Sequence, residues 1–312
     1  MSGPAPVRVG VVGLGQWGRQ HARVFASLPG VRLVGVVDRD AREAQAAALR
    51  HGTVAYTDHL ALLGRVDAVS VVVPTGLHYA IARDFLDAGV HVLVEKPMTA
   101  TVDEARRLVD LAARRGVVML VGHVERFKPA VQRLSALAPE PLLIQARRVR
   151  PYDPHRVMDV GVVLDLMIHD IDIVLALAPG RVVDVTGVGV CVHNSHEDLA
   201  VAHLVMAGGC RVTLTASRVS AVKAVEMEIT TAQRAIHLDF LRETISLRHF
   251  SGEQQRLALD GEEPLRAELA HFVACVRGEE RPLVTGEDGL RALEVSHRLL
   301  RSMVGITPRV PV

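Results

Sequence analysis

VRVGVVGLGQWGRQHARVF, residues 7–25, joins an apolar, β-branched run to a glycine-rich turn and a helical pattern. The run Val7–Val12 predicts a buried strand, and the residues after the turn repeat at helical spacing. Between them stand Gly13, Gly15 and Gly18 in the pattern G-x-G-x-x-G. Glycines in this pattern permit a tight turn and let a pyrophosphate approach the backbone at the helix N-terminus. The stretch therefore predicts a dinucleotide-binding turn at the start of a parallel sheet.

An acidic residue stands where this kind of turn needs one. The next apolar run, VRLVGVVD, ends in Asp38, 20 residues after Gly18. A carboxylate at this distance accepts hydrogen bonds from the adenosine ribose and repels a 2′-phosphate, so NAD is favoured over NADP. Arg39 follows directly and could soften that preference.

Three more apolar runs extend the pattern, at Asp67–Val73, Gly89–Glu95 and Gly116–Gly122, with helical segments between them. Continuous apolar strands alternating with helices are typical of a parallel sheet that is covered on both faces. Ligands of such sheets bind beyond the carboxyl ends of the strands. The residues predicted to contact the cofactor are Gly13, Gly15, Gln16, Trp17, Gly18, Asp38, Arg39, Pro74, Thr75, His78, Glu95, Lys96 and Pro97.

The second part of the chain has a different pattern. Short β runs fill most of residues 141–259, with a hairpin turn at Gly208-Gly209, and two helices close the chain. The last helix begins at TGEDG, where Thr285 and Asp288 have the spacing of a capping box. We expect an α/β protein with an N-terminal Rossmann doubly wound parallel sheet, followed by an α+β domain with a large, mainly antiparallel open sheet. The predicted domains are residues 1–122 and 123–312, and the C-terminal helices could pack back on the first domain.

Composition narrows the class of protein. The chain has 312 residues, 49% of them hydrophobic, and a formal net charge of +1 from 36 basic and 35 acidic residues. This balance argues against a nucleic-acid or anionic-membrane partner. No run approaches the ~20 apolar residues of a membrane span, and the N-terminus has no apolar signal region. The odd number of cysteines, three, fits a reducing compartment. We expect a soluble, cytoplasmic protein.

The segment DLMIHDIDIVLAL, residues 165–177, carries titratable groups in an otherwise apolar helix pattern. At about 100° per residue, Asp165, His169 and Asp172 share one stripe, while Asp170 points roughly 140° away from Asp165. Ionised carboxylates are costly to bury unless they are paired. The stripe therefore lines a cleft or belongs to a buried structural network. We favour a structural role for Asp172 and an ion pair elsewhere for Asp170.

The chain resembles the glucose–fructose oxidoreductase / inositol dehydrogenase / MocA-like (Gfo/Idh/MocA) family over nearly its whole length. The motifs that carry the resemblance are GLGQWGRQHA, VVVPTGLHYAIARDFLDAGVHVLVEKPMT, VGHVERFKPAV, DVGVVLDLMIHDIDI and EDGLRALEVSHRLL. The pair GHVERF and DVGVVLDLMIHDID is most similar to the branch that oxidises UDP-N-acetylglucosamine at C3. Two positions depart from the family pattern: Gly161 is the only glycine just before the helix motif, and Lys128 replaces an Asn or Asp.

The resemblance implies NAD(P)-dependent hydride transfer from a sugar or cyclitol hydroxyl. The lysine of the family's E-K-P block, which touches the substrate hydroxyl and the nicotinamide ribose, falls on Lys96. It is one of only three lysines in this arginine-rich chain. The family's paired aspartate and histidine fall on Asp165 and His169.

Alcohol oxidation needs a base for the hydroxyl proton and a positive charge beside the developing alkoxide. His169 is the candidate base, because the imidazole pKa lies near ~6.5. Lys96 would stabilise the alkoxide, or would itself be the base if burial lowered its pKa. Asp165 would orient the imidazole or bind a neighbouring hydroxyl. The sequence leaves these alternatives open.

Further side chains are candidates for substrate binding. His123 and Arg126 follow the carboxyl end of a strand, and a guanidinium binds phosphate in a bidentate way. Arg147, Arg148, Arg150 and Arg156 flank the helix motif, where a diphosphate clamp and a basic solvated loop are equally good interpretations. The predicted substrate contacts are His123, Arg126, Arg156, Asp165 and His169. His193 and His196 do not have a zinc-site spacing, so no metal is predicted.

Three functions remain in competition. The first is an NAD-dependent dehydrogenase that makes a 3-keto sugar from a UDP-amino sugar, with an aminotransferase as a candidate pathway partner. The second is a free sugar or myo-inositol dehydrogenase, and the third is a non-catalytic NAD-sensing regulator. Relatives commonly pair through the second-domain sheet, so the resemblance also implies a homodimer or homotetramer.

Overall fold

The computed structural model describes residues 5–155, 159–178, 180–259 and 261–303. These residues form two compact units. The first contains the described residues up to Phe127 together with Glu262–Leu290, and the second contains Lys128–Gly261 together with the described residues from Arg291 onward. The first unit is therefore discontinuous in sequence. The residues between Gly122 and Lys128 belong to it by compactness, although the sequence-based boundary lies at residue 122.

The first unit contains six strands and five complete helices. The strands are β1 (Val7–Val12), β2 (Val31–Val37), β3 (Val54–Tyr56), β4 (Ala68–Val71), β5 (His91–Glu95) and β6 (Met119–Gly122). The helices are α1 (Gln16–Ser27), α2 (Ala41–His51), α3 (Thr75–Asp87), α4 (Val102–Arg115) and α7 (Pro264–Val276). Short 3₁₀ turns occupy His59–Leu62 and Val124–Phe127.

The six strands form one parallel sheet in the order β3-β2-β1-β4-β5-β6. This order confirms the predicted doubly wound sheet, in which the strand order reverses between β1 and β4. Val9 and Val11 of β1 are fully buried, in a core that also includes Phe25 of α1 and Leu93 of β5. The burial of each such side chain stabilises the fold by roughly 1.5–3 kcal/mol. The carboxyl ends of β1 and β4 are thereby held next to each other.

The second unit is built on eight strands. They are β7 (Leu143–Val149), β8 (Val182–Val190), β9 (Leu199–Met206), β10 (Arg211–Ser217), β11 (Ala224–Thr230), β12 (Arg234–Asp239), β13 (Thr244–His249) and β14 (Gln254–Ala258). They form one sheet in the order β14-β13-β12-β11-β7-β10-β9-β8. Only β7 and β10 pair in parallel, and the other neighbours are antiparallel, which confirms the predicted, mainly antiparallel sheet. Gly209, at φ 88°, lies in the turn that joins β9 and β10.

Helices α5 (Pro129–Leu137) and α6 (Ile168–Leu177) belong to the second unit, and α8 (Gly286–Ser302) runs from residues of the first unit into those of the second. The predicted capping box at the start of α8 is present. The backbone N–H of Asp288 donates to the hydroxyl of Thr285 at 3.1 Å, and the backbone N–H of Thr285 donates to the Asp288 carboxylate at 2.9 Å.

Residues 165–177 are not one regular α-helix, so the stripe drawn for them from a constant 100° step is wrong at its first turn. Val163–Met167 form a π-helical turn, and α6 begins only at Ile168. The backbone N–H of Ile168 reaches the carbonyl oxygen of Val163, five residues earlier. A π turn holds more residues than an α turn and occurs often at functional sites. Asp165 is consequently rotated relative to His169 from the position that α periodicity predicts.

Among the described residues, no helix is long and apolar enough to cross a membrane.

Candidate active site

The glycine turn after β1 is tightly packed on its inner side. Gly13 has φ 92°, and a Cβ placed there would lie 2.2 Å from the carbonyl oxygen of Val72, just beyond β4. A Cβ at Gly18 would lie 1.9 Å from the carbonyl oxygen of Gly13. At Gly15, in contrast, an added Cβ would meet no described atom within 4 Å. The turn is therefore closed toward the sheet and open beside Gly15, as the approach of a pyrophosphate requires.

The N-terminus of α1 follows this open side. Gly15 is the N-cap residue and has no side chain with which to bond the free backbone N–H groups of the first turn. Gln16 and Trp17 in that turn are exposed, Trp17 by 48%. Free N–H groups and the helix dipole favour an anion at this point.

Asp38 lies beside the turn, in a position that the backbone fixes. One of its carboxylate oxygens accepts a hydrogen bond from the N–H of Leu14 at 2.8 Å, and the other accepts one from the N–H of Asp40 at 2.9 Å. Each carboxylate oxygen retains a further lone pair, so the group can also accept hydrogen bonds from ribose hydroxyls. Arg39 is exposed. The glycine turn, the α1 N-terminus and Asp38 together fit the pyrophosphate and adenosine ribose of NAD.

Beyond β4, Pro74 is exposed, whereas Thr75 and His78 of α3 are buried. The Nε2 of His78 lies 2.8 Å from the carbonyl oxygen of Val73, and its Nδ1 lies 2.9 Å from that of Pro97. The imidazole therefore connects the loop after β4 to the loop after β5. A direct contact of His78 with the cofactor stays a prediction.

The Glu95-Lys96-Pro97 turn ends β5. A carboxylate oxygen of Glu95 accepts a hydrogen bond from the backbone N–H of Lys96 at 3.1 Å, and the other lies 3.3 Å from Nε2 of the buried His21. Burial opposes ionisation of Glu95, but the hydrogen bond and charge of His21 and the charge of Lys96 lower the pKa of Glu95. Glu95 thus takes part in a buried network, while Lys96 is half-buried at the carboxyl edge of the sheet.

His123 lies just before the 3₁₀ turn that follows β6, and Arg126 lies within that turn. His123 is 1% exposed, which leaves little surface for a substrate in this structure. Arg126 is half-buried, and its guanidinium is 3.4 Å from the carbonyl oxygen of Leu283. Their contact with substrate stays a prediction.

In the second unit, two arginines of the β7 region meet two aspartates of the helix motif. Arg148 forms a buried ion pair with Asp170 at 2.8 Å, which confirms that Asp170 has an ion-pair partner of its own. Arg150 lies 3.8 Å from the carboxylate of Asp165, and both side chains are largely shielded from solvent. Arg148 lies in β7 and Arg150 directly follows the end of that strand, so one short stretch of chain supplies both contacts.

The remaining members of the predicted set are placed as follows. His169 is half-buried on α6, and Asp172 is buried on the same helix. Arg147 points to the opposite side of β7, where it lies 3.5 Å from Glu226 of β11. Arg156 lies outside the described residues.

Sequence reasoning missed a buried charge cluster at the start of the helix motif. Arg218, fully buried after β10, bonds to the Asp198 carboxylate at 2.6 Å and to the carbonyl oxygen of Val160 at 2.9 Å. The adjacent Glu197 accepts a hydrogen bond from the N–H of Val163 at 3.0 Å. This cluster therefore holds both ends of the short segment that leads into the π turn. No periodicity marks it, because its members come from separate loops.

His193 stacks on Tyr152 with ring centroids 4.0 Å apart. Within the described ranges, no group of three or more His, Cys, Asp or Glu side chains is arranged to hold a metal ion.

Comparison with known proteins adds the following similarities. Residues 7–123 match the family described as "Oxidoreductase family, NAD-binding Rossmann fold", and residues 140–237 match "GFO/IDH/MocA C-terminal domain". UDP-N-acetylglucosamine 3-dehydrogenase of Acidithiobacillus ferrooxidans is 35% identical over 297 residues, which cover 92% of this chain and 94% of the relative. A solved structure of that enzyme has a TM-score of 0.92 at 34% identity, covering 97% of this chain and 99% of its own.

Two further similarities are more distant. The scyllo-inositol 2-dehydrogenase (NAD(+)) of Bacillus subtilis is 28% identical over 313 residues, covering 93% of this chain and 92% of the relative. Levoglucosan dehydrogenase, in complex with NADH and levoglucosan, has a TM-score of 0.87 at 18% identity, covering 95% of this chain and 97% of its own. The latter shows a shared fold alone.

Proposed function

This chain belongs to the GFO/IDH/MocA family of NAD-binding oxidoreductases, and from that premise we propose that it oxidises the 3-hydroxyl of UDP-N-acetylglucosamine or a related UDP-amino sugar to the 3-keto sugar. The observation that carries this proposal is the 35% identity to a UDP-N-acetylglucosamine 3-dehydrogenase over 92% of the chain. The likeness spans both sheets, so it includes the residues proposed to bind the cofactor and those proposed to bind the sugar.

NAD, when bound, supplies the hydride acceptor. The residues that would hold it are those that fit it best in the structure: the open glycine turn, the N–H groups of α1 and the carboxylate of Asp38. Lys96, at the carboxyl edge of the same sheet, is proposed to contact the nicotinamide ribose and the reacting hydroxyl of the sugar. Its ammonium would stabilise the alkoxide that develops as the hydroxyl proton leaves.

The proton of the hydroxyl is proposed to pass to His169. Asp165 is proposed to orient that imidazole or to accept a hydrogen bond from a neighbouring sugar hydroxyl. Its pairing with Arg150 favours the ionised carboxylate, because an opposite charge nearby stabilises the charged form. In this proposal Asp165 acts as a hydrogen-bond acceptor, and Lys96 is the remaining alternative to His169 as the base.

The diphosphate of the substrate is proposed to interact with Arg126 and Arg156, and a sugar hydroxyl with His123. Arg148 is less suited to a diphosphate clamp, since its guanidinium is already committed to Asp170. We further propose that the protein forms a homodimer or homotetramer and is located in the cytoplasm. An aminotransferase is the proposed pathway partner that consumes the keto product.

A free sugar or cyclitol dehydrogenase is the second candidate. It is favoured by the likeness to the scyllo-inositol 2-dehydrogenase of Bacillus subtilis, which also spans most of the chain. Lower identity, 28% against 35%, places it second.

A substrate panel separates these candidates. The purified protein is incubated with NAD and, in turn, UDP-N-acetylglucosamine, its uronate, glucose and myo-inositol, and NADH is followed by absorbance. We expect turnover with a UDP-amino sugar only. NADH formation with myo-inositol or glucose alone would select the second candidate. If NADH formed with none of the four sugars, a non-catalytic, NAD-binding regulator would be the remaining function.

Asp38→Ser tests the basis of cofactor choice. Removing the carboxylate removes the acceptor for the ribose hydroxyls and the repulsion of a 2′-phosphate. We expect the ratio of kcat/KM for NADP to that for NAD to rise about tenfold, equivalent to about 1.4 kcal/mol. Asp110→Asn, at an exposed position on α4, serves as the control and should leave the ratio unchanged. An unaltered ratio in Asp38→Ser would exclude the proposed role of Asp38.

His169→Gln tests the base. We expect kcat to fall about 100-fold, because loss of a general base costs at least that much, and we expect the acid limb of the pH profile to disappear. His203→Gln, on the exposed side of β9, is the matched control and should retain the full rate. A His169→Gln enzyme with the original rate and pH profile would shift the base assignment to Lys96.

A further inference from the structure

Glu268 is a charged residue type in the interior of the first unit, and the proposed mechanism does not use it. Its neighbours on α7, Leu265, Leu269 and Phe272, belong to the same apolar core as Leu93 of β5. Glu268 itself is 0% exposed. Neither of its carboxyl oxygens has a hydrogen-bond partner among the residues that the structure describes. An ionised carboxylate is costly in such surroundings, so this group calls for a physical explanation.

The neighbouring charge is that of Glu95. Its carboxylate lies against Gly122, where an added Cβ would be 2.8 Å from the Glu95 Oε1 atom. The 3₁₀ turn that follows Gly122 packs against α7, and so does α1. From α1, His21 places Nε2 3.3 Å from Glu95 and Nδ1 2.8 Å from the hydroxyl of the buried Ser70. The charge of Glu95 also acts on Glu268. Glu268, Glu95, His21 and Ser70 thus form one group of polar side chains that is largely shielded from water, which we call the β5–α7 cluster.

The pKa values of the two carboxyl groups in this cluster are shifted in opposite directions. Burial, and then repulsion by Glu95, raises the pKa of Glu268 well above its ordinary value. The pKa of Glu95 is lowered, since His21 and Lys96 outweigh the effect of burial. When the environments of two nearby acids shift their pKa values apart in this way, the pair favours retaining one proton, and these directions favour Glu268 as its position.

The cluster is connected directly to the residue proposed to act on the substrate. A carboxylate oxygen of Glu95 accepts a hydrogen bond from the backbone N–H of Lys96 at 3.1 Å. A change in the charge of Glu268, acting on Glu95, would therefore affect the turn that carries the Lys96 side chain. If both acids were ionised, their repulsion would displace the Glu95 carboxylate from this N–H or from His21. The anionic cofactor would also meet an additional negative charge.

We propose that Glu268 is a positioning residue for the Glu95-Lys96 turn. Glu268 remains protonated next to the ionised Glu95, so the two carboxyl groups contribute a single negative charge to the β5–α7 cluster. The Glu95 carboxylate then stays in contact with the turn and holds it in place for the bound cofactor. The role of Lys96 in catalysis is part of the proposed function, whereas the binding of NADH to this domain is independent of the sugar that is oxidised.

The titration of other groups has to be distinguished from that of Glu268. His21 on α1 belongs to the cluster itself, and the elements around the cluster carry His78 on α3, Lys96 after β5, His123 and Glu125 after β6, and His271 on α7. Histidines change charge mainly on the acidic side of neutrality, but lysine, like Glu268, loses its proton as the pH rises. Glu268→Gln removes only the response of Glu268, because the amide has the shape of the neutral acid and leaves the other groups unchanged.

Infrared spectroscopy of the cofactor-free protein tests the charge state. At about pH 7, we expect the C=O stretch of a protonated carboxyl group, and we expect this band to be absent from Glu268→Gln. Glu287→Gln, at an exposed position of α8, is the control and should retain the band. In Glu95→Gln the repulsion is gone, so the band should disappear at a lower pH than in the unchanged protein. Absence of the band from the unchanged protein would overturn the proposal.

NADH binding, followed by its fluorescence, tests the positioning role. From about pH 7 to about pH 9 we expect the Kd of the unchanged protein to rise about threefold or more, and that of Glu268→Gln to rise distinctly less. If the Kd of Glu268→Gln depended on pH in the same way as that of the unchanged protein, Glu268 would have only a structural role. A change in thermal stability without a change in the pH dependence of Kd would lead to the same conclusion. Neither measurement requires the sugar, so failure of the substrate assignment and failure of this proposal are distinguishable.

Discussion

Lys96→Met is expected to lower kcat/KM for the sugar by about 1,000-fold. The substitution keeps the length of the aliphatic chain and removes the ammonium group. Removing one preorganised stabilising group from a site where charge develops costs about 10²–10³ in rate, and loss of the proposed ribose contact adds to it. The measurement is steady-state NADH formation with the substrate that the panel identifies, at saturating NAD.

Lys223→Met is the matched control for this variant. Lys223 is exposed just before β11, so the same change of side chain should leave the rate unaltered. Lys96→Arg adds a second test, because arginine retains positive charge but is not deprotonated in proteins. Partial activity in Lys96→Arg would support a charge-stabilising role, while full turnover in Lys96→Met would remove Lys96 from the mechanism.

Arg218→Met is expected to lower the free energy of unfolding by about 3–5 kcal/mol, the range found when one partner of a buried ion pair is removed. Arg218 and Asp198 are both 0% exposed in their side chains, and their contact measures 2.6 Å. The variant leaves the Asp198 carboxylate buried without its guanidinium and frees the carbonyl oxygen of Val160. Urea denaturation followed by circular dichroism measures the change.

Arg147→Met provides the comparison for an exposed pair. Its guanidinium lies 3.5 Å from Glu226, but the two side chains are 44% and 40% exposed. Such pairs contribute about 0–1 kcal/mol, so the unfolding curve should shift little. A loss in Arg218→Met no larger than that in Arg147→Met would contradict the structural importance of the buried pair.

The same cluster predicts a pH dependence. Burial opposes ionisation of Asp198, but hydrogen bonds from the backbone of His193 and from the side chains of Asn194 and Arg218 lower the pKa of Asp198 well below its ordinary value. A lowered pKa stabilises the fold above the unfolded-state pKa of about 3.9, and this stabilisation is lost as the pH falls below it. The stability difference between the unchanged protein and Arg218→Met should therefore narrow in acid. A difference that stays constant from neutrality to about pH 3 would show that Asp198 is not its source.

The local patterns of the chain were sufficient for the fold class. The strand, the three glycines and Asp38 lie within residues 7–38, so one short stretch of sequence contains the whole pattern that predicts the cofactor turn. Short β runs and the hairpin turn at Gly208-Gly209 similarly predicted the antiparallel sheet, and Thr285 with Asp288 predicted a helix start that the structure confirms. Short-range geometry of this kind is readable because it depends on spacing along the chain alone.

The helix motif shows where such reasoning ends. Its composition identified Asp165, His169 and Asp170 as polar groups that need partners in a mostly apolar segment. From the family resemblance we predicted a catalytic role for Asp165 and His169, and from the helical spacing we predicted an ion pair for Asp170. The partners themselves, Arg150 for Asp165 and Arg148 for Asp170, come from the end of β7 and the residue after it, at least 15 residues away in sequence. The π turn at Val163–Met167 also departs from the periodicity on which the predicted stripe was based.

Residue types and their spacing thus determined the two sheets, the cofactor turn and the family to which the chain belongs. Tertiary structure alone decided which charged side chains are paired and which acids influence each other: Arg218 meets Asp198 from a separate loop, and Glu268 comes under the charge of Glu95 from a helix more than 150 residues further along. The physical reason is that the energy of a buried charge depends on the distances to its partners and on the exclusion of water. Both quantities arise only when distant segments pack together.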